Sequence, residues 1–364
     1  MLTDFGNVVH VVGTGTIGEP LIGLLADYKE KFGIDEVTFS KKTPLKTDRS
    51  KVRALQERGA KLCVEGEKYS EFKELEMTPA YEFEEAIARA GGVIDCTPDG
   101  SGIKNKKNFY KKYEDNGAVF LAQGSEHGFG KMYAYGINDS KLEPSDKYVQ
   151  IASCNTHNIA ALVKTFAMES NNGIEDCQLD YGRFLCLRRS SDMSEDKGVV
   201  PSPHVEKHDD KEIHPYGTHQ AQDAVNLFDT MGYDLNLFSS AMKLSTQYMH
   251  SIWFDLKLKN KITEKDVESK IKANPLVAVT QKQKASQVFS FGRNHGPYGR
   301  ILNQTVIVLP SLYLKNCSEL IGCSFTPQDG NSLLSSIAVI LYHFYPTTYK
   351  ERIKCLDRYL FKEI

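Results

Sequence analysis

The sequence has no apolar stretch long enough to cross a membrane. Its longest strongly apolar run near the C-terminus, Ile337 to Leu341, is far shorter than the ~20 residues that a bilayer span needs. The chain also starts without the basic residues that open a secretory signal. A cytoplasmic location is therefore expected.

The sequence likewise lacks a strong excess of charge of either sign. Its 364 residues include 45 Lys and Arg against 47 Asp and Glu, which leaves a formal net charge of -2. Because a near-neutral chain has no global attraction to nucleic acid or to acidic membranes, neither is expected as a partner. An anionic ligand would need a local cluster of basic side chains.

Metal-binding and disulfide spacings are missing as well. The eight cysteines contain no CxxC pair, which favours reduced thiols over a zinc site or a disulfide scaffold. Four histidines crowd the polar segment 204–219, but no HExxH pattern accompanies them. We predict no bound metal, and expect this segment to be a polar loop that carries one functional histidine.

What the sequence does contain is an alternation of strands and helices at its start. Short runs rich in β-branched residues cover 7–12, 36–40, 92–96 and 119–122, and a helical pattern follows the first of them. Strands that alternate with helices form parallel sheets covered on both faces. The pattern predicts an α/β fold with a doubly wound parallel sheet, and 41% hydrophobic residues allow two sizeable cores.

A G-x-G-x-x-G turn joins the first strand to the first helix. The first glycine makes the tight turn, the second lets the backbone approach a pyrophosphate, and the third allows close helix packing. The helix N-terminus adds free N–H groups that attract phosphate. An ordinary strand-to-helix turn is the alternative, but this context favours dinucleotide binding. The predicted cofactor-binding residues are Gly13, Thr14, Gly15, Thr16, Ile17 and Gly18.

The end of the second predicted strand indicates which dinucleotide is bound. An NAD enzyme commonly has an acidic residue there, which accepts hydrogen bonds from the ribose 2′-hydroxyl. This chain has Ser40-Lys41-Lys42-Thr43 instead. Two ammonium groups beside two hydroxyls suit a 2′-phosphate, so NADP is favoured and NAD stays possible. The alternative is a solvated lysine pair with no ligand.

Cys154 is the candidate nucleophile. It directly precedes apolar residues at 159, 162, 163 and 166, which have the spacing of one helix face, so it is predicted to start a helix. The positive end of a helix favours thiolate over thiol, and its N–H groups can bind a developing oxyanion. Most cysteines serve only in packing, and the other seven are interpreted in that way.

Several of these motifs resemble those of one known family. Ser153-Cys154-Asn155-Thr156 is similar to the nucleophile motif of the archaeal-type (type II) phosphorylating glyceraldehyde-3-phosphate dehydrogenases, and further segments follow in family order over most of the chain. Those segments are Ser40-Lys41-Lys42-Thr43, Cys96-Thr97-Pro98-Asp99-Gly100-Ser101-Gly102 with Lys104-Asn105, Gln123-Gly124-Ser125-Glu126 and Arg188-Arg189-Ser190-Ser191-Asp192.

The resemblance implies a fold and a quaternary structure. Residues 1–152 with 328–364 would form the dinucleotide-binding domain, a Rossmann doubly wound sheet. Residues 153–327 would form an α+β catalytic domain, and the assembly would be a homotetramer. The implied reaction oxidises glyceraldehyde 3-phosphate with phosphate to 1,3-bisphosphoglycerate, or runs in reverse, in glycolysis or gluconeogenesis.

The resemblance also implies roles for individual residues. Cys154 would carry a thioester, His219 would act as the base, and Asn331 would contact the nicotinamide. Thr97, Pro98 and Gly124 would bind the cofactor. Guanidinium groups bind phosphate oxygens in bidentate fashion, so Arg188 and Arg189 are the candidate anion clamp, with a surface arginine pair as the alternative. The other candidates for substrate and phosphate oxyanions are Ser153, Asn155, Thr156, Thr246 and His250.

Three residues depart from the family pattern. His157 and Asn158 follow the nucleophile motif where the family has Thr-Gly, and Gln220 follows His219 where the family has a second histidine. His157 is either a bystander, which we favour, or a second titrating group. Two other functions stay open: an NADP-dependent semialdehyde dehydrogenase or acyl-phosphate reductase, and an inactive dinucleotide sensor.

Overall fold

The structure is a computed structural model in which the chain divides into two compact units. Unit 1 comprises the described residues of Met1–Tyr133, Leu142–Ile151 and Leu333–Asp357, and unit 2 those of Ala134–Lys141, Ala152–Ser332 and Arg358–Ile364. Compactness does not test separate folding, so the domain limits expected from the sequence stay a prediction. The structure describes residues 6–124, 126–171, 174–191, 200–208, 215–327 and 329–364.

The described part of unit 1 contains one parallel sheet of eight strands. The strands lie in the order β4-β3-β2-β1-β5-β6-β8-β7, with helices along the sheet. The predicted α/β fold with a Rossmann-like parallel sheet is confirmed. The strands are β1 Val8–Val12, β2 Glu36–Ser40, β3 Lys61–Val64, β4 Tyr81–Glu82, β5 Gly92–Asp95, β6 Val119–Gln123, β7 Lys131–Tyr133 and β8 Tyr148–Ile151. The helices are α1 Gly18–Asp27, α2 Lys29–Phe32, α3 Arg49–Glu57, α4 Tyr69–Glu74, α5 Phe83–Arg89 and α6 Ser101–Asn108.

The central strand β1 shows why this sheet is parallel and covered on both faces. All five of its residues are buried, which is typical of a strand between two helical layers. Its one polar residue, His10, lies with Nδ1 2.7 Å from Thr38 Oγ1 on β2. Burial lowers the pKa of His10 to about 3. The imidazole is therefore neutral and serves the core.

Unit 2 is built around a mixed sheet. Its main path is β12-β13-β11-β14-β18-β16-β15, in which β11 pairs parallel to β13 and antiparallel to β14, while β17 pairs with β18. The strands are β9 Met168–Asn171, β10 Ile174–Cys177, β11 Leu179–Arg188, β12 His204–Val205, β13 Leu237–Lys243, β14 Ser251–Leu258, β15 Val277–Thr280, β16 Thr305–Val308, β17 Tyr313–Lys315 and β18 Glu319–Phe325. The helices are α7 Cys154–Ala167, α8 His219–Asp229, α9 Glu264–Ala273 and α10 Ala285–His295.

Helix α7 forms the centre of unit 2. It packs against α8, α9 and the β11 and β14 strands, and nearly all its residues after Cys154 are buried. Phe166 on α7 stacks with Phe254 on β14, with ring centroids 6.4 Å apart. The body of α7 is therefore anchored in the core of unit 2. The helices described after these are α11 Gly330–Phe344 and α12 Tyr349–Ile353.

Candidate functional site

The glycine turn of unit 1 has the geometry that a bound dinucleotide requires. Gly13 has φ +95°, and a Cβ on Gly18 would lie 2.1 Å from the Gly13 carbonyl oxygen, so both positions need glycine. At Gly15, no heavy atom of the described residues lies within 4 Å of the place a Cβ would take. That open side leaves room for a pyrophosphate. The residues of the turn therefore fit a dinucleotide.

Helix α1 begins directly after the turn, as predicted. Its N-cap residue is Ile17, whose apolar side chain cannot accept a hydrogen bond from the first turn. Because the first N–H groups of a helix need acceptors, a ligand phosphate could satisfy them. Thr14 and Gly18 are buried within the turn, whereas Gly15 faces open space.

The predicted 2′-phosphate residues lie at the carboxyl end of β2. Ser40 is buried, Lys42 and Thr43 are exposed, and Lys41 Nζ lies 2.5 Å from Asp48 Oδ2. Burial raises the pKa of Asp48, but hydrogen bonds from Lys41 and Lys51 outweigh it and leave that pKa below its usual value. Asp48 is therefore a carboxylate next to the predicted 2′-phosphate residues. Sequence reasoning missed it, because it lies beyond the strand end that the motif describes.

A buried carboxylate fixes the segment that contains Thr97 and Pro98. Asp95 ends β5, and its oxygens accept hydrogen bonds from Thr97 N at 2.9 Å, from Asn105 Nδ2 at 2.9 Å and from the Tyr110 hydroxyl at 2.5 Å. Burial raises the pKa of Tyr110 well above its usual value, and Asp95 adds to this. The phenol therefore stays a donor and the segment stays in place.

The carboxylate of Glu126 lies at the N-terminus of α6, the helix that follows this segment. This carboxylate accepts hydrogen bonds from Gly102 N at 3.2 Å and from Ile103 N at 3.1 Å, in the first turn of α6. A negative charge stabilises that end of a helix. Gly124, at the end of β6, has φ +69°, and no described heavy atom lies within 4 Å of its Cβ position. The turn at Gly124 therefore offers open space to a cofactor.

Helix α7 begins at Cys154, so the predicted helix start is confirmed. Ser153 is the N-cap residue, and its hydroxyl accepts a hydrogen bond from Thr156 N at 3.3 Å and lies 2.8 Å from Thr156 Oγ1. The thiol is partly exposed. Capping of this kind orders the first turn and therefore the position of Cys154.

A buried polar network lies below that first turn. Thr326 donates to Asn155 Oδ1 at 3.0 Å and accepts from Asn158 Nδ2 at 2.9 Å, and Ser324 donates to Asn158 Oδ1 at 3.0 Å. Asn155 and Asn158 thus bind the end of β18 and the residue after it. This gives Asn158 a structural role at a position where the resemblance calls for glycine.

His157 belongs to the interior of unit 2. Its side chain has no solvent exposure, and Nδ1 lies 3.0 Å from the Ser153 carbonyl oxygen. Burial lowers the pKa of His157 to about 4, against a smaller opposing effect of its backbone hydrogen bonds. The ring is neutral at physiological pH. This favours the interpretation of His157 as a bystander over that of a second titrating group.

Asn331 lies next to Cys154, the candidate nucleophile, rather than in open space. Its amide nitrogen donates to the Cys154 carbonyl oxygen at 3.1 Å and to the Gln304 carbonyl oxygen at 3.3 Å, while its oxygen accepts from Ser332 N at 2.9 Å. Asn331 is completely buried. These contacts support a role in positioning Cys154, and give no support to a contact with nicotinamide.

The two candidate clamp arginines both have acidic partners. Arg188 Nη1 donates to both carboxylate oxygens of Glu206, at 2.7 and 2.9 Å, and Arg189, which is almost completely buried, lies 3.5 Å from Asp329. An incoming phosphate would therefore have to share or displace a carboxylate at either arginine. Sequence patterns did not indicate Glu206 or Asp329, because no helix or strand period links either residue to the arginine pair.

Thr246 and His250 lie beside these arginines. Arg189 N donates to His250 Nδ1 at 2.9 Å, and Ser190 N donates to the Thr246 carbonyl oxygen at 2.8 Å. Burial lowers the pKa of His250 well below its usual value, and Arg189 and Arg188 lower it further. A neutral ring whose Nδ1 accepts a hydrogen bond carries its proton on Nε2. His250 can therefore donate one hydrogen bond to an oxyanion.

His219 is the first residue of α8 and is partly buried. The helix start is fixed by Ser239, whose hydroxyl lies 2.6 Å from Thr218 Oγ1 and accepts from Ala221 N at 3.0 Å. Because α7 and α8 pack together, Cys154 and His219 begin two neighbouring helices of one unit. Gln220, the departure from the family pattern, is buried in α8.

The histidine-rich segment can be followed only in part. His204 lies in β12, and His208 Nε2 lies 3.1 Å from Ser240 Oγ, while residues 209–214 lie outside the described part of the chain. Within the described residues, no group of three His, Cys, Asp or Glu side chains could hold a metal ion. No described helix is long and apolar enough to span a bilayer.

Several known proteins similar to this chain are named glyceraldehyde-3-phosphate dehydrogenase. The protein from Methanobacterium formicicum is 26% identical over 277 residues, which cover 74% of this chain and 72% of that relative. The protein from Methanobacterium bryantii is 27% identical over 58% of this chain and 57% of the relative. The protein from Pyrobaculum islandicum is 24% identical over 68% of this chain and 66% of the relative. No family model matches the chain.

Proposed function

We propose that the chain is an NADP-dependent, phosphorylating glyceraldehyde-3-phosphate dehydrogenase of the archaeal type. The observation that carries the proposal is Cys154, a partly exposed thiol at the capped start of a buried helix, in a chain that also has a glycine turn fitted to a dinucleotide. The similarity to proteins of that name supports the same assignment. The reaction converts glyceraldehyde 3-phosphate and phosphate to 1,3-bisphosphoglycerate, or the reverse.

The thiolate and the base divide the proposed chemistry between them. Cys154 Sγ attacks the aldehyde carbon, and the former carbonyl oxygen takes a proton from solvent to give a hemithioacetal; His219 then removes that hydroxyl proton as the hydride leaves and returns it to solvent. The bound dinucleotide supplies the acceptor for the hydride that leaves the same carbon. The product is a thioester on Cys154. Phosphate then attacks the thioester carbon, the carbon–sulfur bond breaks, and the acyl phosphate leaves with Cys154 restored as thiolate.

Two regions hold the anions in this proposal. Lys41 and Lys42 bind the cofactor 2′-phosphate. Their two ammonium groups complement the negative charge of that phosphate, whereas the 2′-hydroxyl of NAD carries no charge to complement. In unit 2, Arg188, Arg189 and the Nε2–H of His250 bind substrate or inorganic phosphate. Glu206 and Asp329 keep both guanidinium groups in place through ion pairs before an anion arrives.

An enzyme assay tests the function. We expect the absorbance of reduced nicotinamide to increase when the protein is mixed with glyceraldehyde 3-phosphate, NADP and either phosphate or arsenate. Without phosphate or arsenate, the increase should be small. Turnover with aspartate semialdehyde but none with glyceraldehyde 3-phosphate would replace the substrate and indicate a semialdehyde dehydrogenase. Binding of NADP with no turnover of any aldehyde would indicate a dinucleotide sensor.

We also infer a cytoplasmic homotetramer. One face of the unit 2 sheet carries large apolar side chains at the surface, including Phe238 at 39% exposure, Trp253 at 37% and Tyr313 at 63%. Contact between copies of the chain would cover such a face. Light scattering during gel filtration should give a mass of about four times 40.9 kDa. A mass of one chain at micromolar concentration would contradict this inference.

A further inference from the structure

We propose that Lys51 is a third cation of the 2′-phosphate site, beside Lys41 and Lys42, and that Asp48 sets its position next to Lys41. The inference rests on the proposed use of NADP. Lys51 lies in the first turn of α3, outside the strand-end motif, and the resemblance assigns it no role.

The contacts of Lys51 place its ammonium group at the glycine turn. Lys51 Nζ lies 3.1 Å from the carbonyl oxygen of Thr14, the residue between the first two glycines of the turn. In a dinucleotide-binding sheet, the adenosine ribose lies between this turn and the end of the second strand. Lys51 therefore reaches, from α3, the same place that Lys41 reaches from β2.

Asp48 joins the two lysines. Its Oδ1 lies 3.1 Å from Lys51 Nζ, and its Oδ2 lies 2.5 Å from Lys41 Nζ. One carboxylate thus holds two ammonium groups a few ångströms apart, close enough for a single phosphate to contact both. Each ammonium group has three N–H donors, so contact with Asp48 leaves donors for phosphate oxygens.

The charges and their burial favour a dianionic ligand. Lys41, Lys51 and Asp48 together carry one net positive charge, and the exposed Lys42 next to Lys41 adds another. The side chains of Lys41 and Lys51 are only 11% and 22% exposed, so solvent and salt screen them less than they screen a surface lysine. A 2′-phosphate gains from this charge, whereas the 2′-hydroxyl of NAD gains little.

The experiment compares the binding of NADP and NAD to the purified full chain by titration calorimetry. We expect Lys51→Met to weaken NADP binding about ten-fold, the loss of one charge-assisted contact, and to change NAD binding less than about two-fold. Lys51→Arg, which keeps the charge, should retain most of the preference for NADP. The matched control is Lys46→Met, which removes a lysine from the turn before α3, where Lys46 lines a shallow surface depression with Arg49 and Arg53.

The outcomes separate this inference from the proposed function. If the unaltered protein binds NADP no better than NAD, the proposed cofactor is wrong and the inference is overturned with it. If the unaltered protein prefers NADP, and Lys51→Met weakens both cofactors equally or neither, the inference alone is overturned. Thermal unfolding of each variant shows whether a loss of binding reflects loss of the fold. If Lys51→Met does not fold, Lys51→Arg still tests whether the charge at position 51 sets the preference for NADP.

Discussion

Replacement of Cys154 by serine is expected to lower kcat for aldehyde oxidation by at least about a thousand-fold. Serine has nearly the same size, but its hydroxyl is a far weaker nucleophile than a thiolate, so the thioester cannot form. The measurement is the initial rate of NADP reduction with glyceraldehyde 3-phosphate and phosphate, at saturating concentrations of each.

The structure predicts that this variant keeps its fold and its cofactor. The contacts that order the start of α7 use the Ser153 side chain and the Cys154 carbonyl oxygen, and a serine at 154 leaves both unchanged. NADP affinity, measured by calorimetry, should therefore match that of the unaltered protein. A large loss of NADP binding would mean that the change acts on the fold rather than on the nucleophile.

Other thiols of the chain provide the controls. Burial raises the pKa of Cys63 and of Cys186 to about 12, so neither is a thiolate near neutral pH. Cys317 is exposed, and Cys317→Ser should leave kcat unchanged. Iodoacetamide at a low molar ratio should modify Cys154 first, as mass spectrometry of peptides would show. Substantial activity in Cys154→Ser, or earlier modification of another cysteine, contradicts the assignment.

Local sequence patterns predicted four strands of the parallel sheet in unit 1. The runs 7–12, 36–40, 92–96 and 119–122 correspond to β1, β2, β5 and β6, because buried parallel strands are continuous apolar segments. Strands β4 and β7 have two and three residues, too few to show a period, and were not predicted. The mixed sheet of unit 2 was expected only through the resemblance.

The site divides in the same way. The apolar spacing after Cys154 was sufficient to predict that a helix begins there. The hydrogen bond from Asn331 to Cys154 joins residues 177 positions apart, and no periodicity within a short window can predict such a contact. Glu206 lies nearer to Arg188 along the chain, and Asp48 nearer to Lys41, but each pair joins residues of different elements that no helix or strand period links. Sequence reasoning therefore proposed candidate reactive groups, but not the residues that contact them in the structure.

Replacement of His219 by asparagine is expected to lower kcat by about 100-fold to 10,000-fold, the usual contribution of a general base. Asparagine is accepted in the first turn of a helix and cannot take up the hydroxyl proton at neutral pH. The helix start should persist, because Thr218, Ser239 and Ala221 fix it without the imidazole. The measurement is kcat and KM across pH 5 to 9 for both proteins.

The pH profile separates a base from a merely structural histidine. If His219 takes the proton, the activity of the unaltered protein falls as the pH is lowered and the imidazole becomes protonated, and the variant lacks this limb at its reduced rate. The NADP affinity and the melting temperature of His219→Asn should match those of the unaltered protein. His208→Asn is the matched control, since this exposed imidazole contacts Ser240 on the mixed sheet and has no place in the proposed reaction. A variant at position 219 that loses rate but keeps the acid limb would show that another group is the base, and would leave the thiolate of Cys154 without its proposed partner.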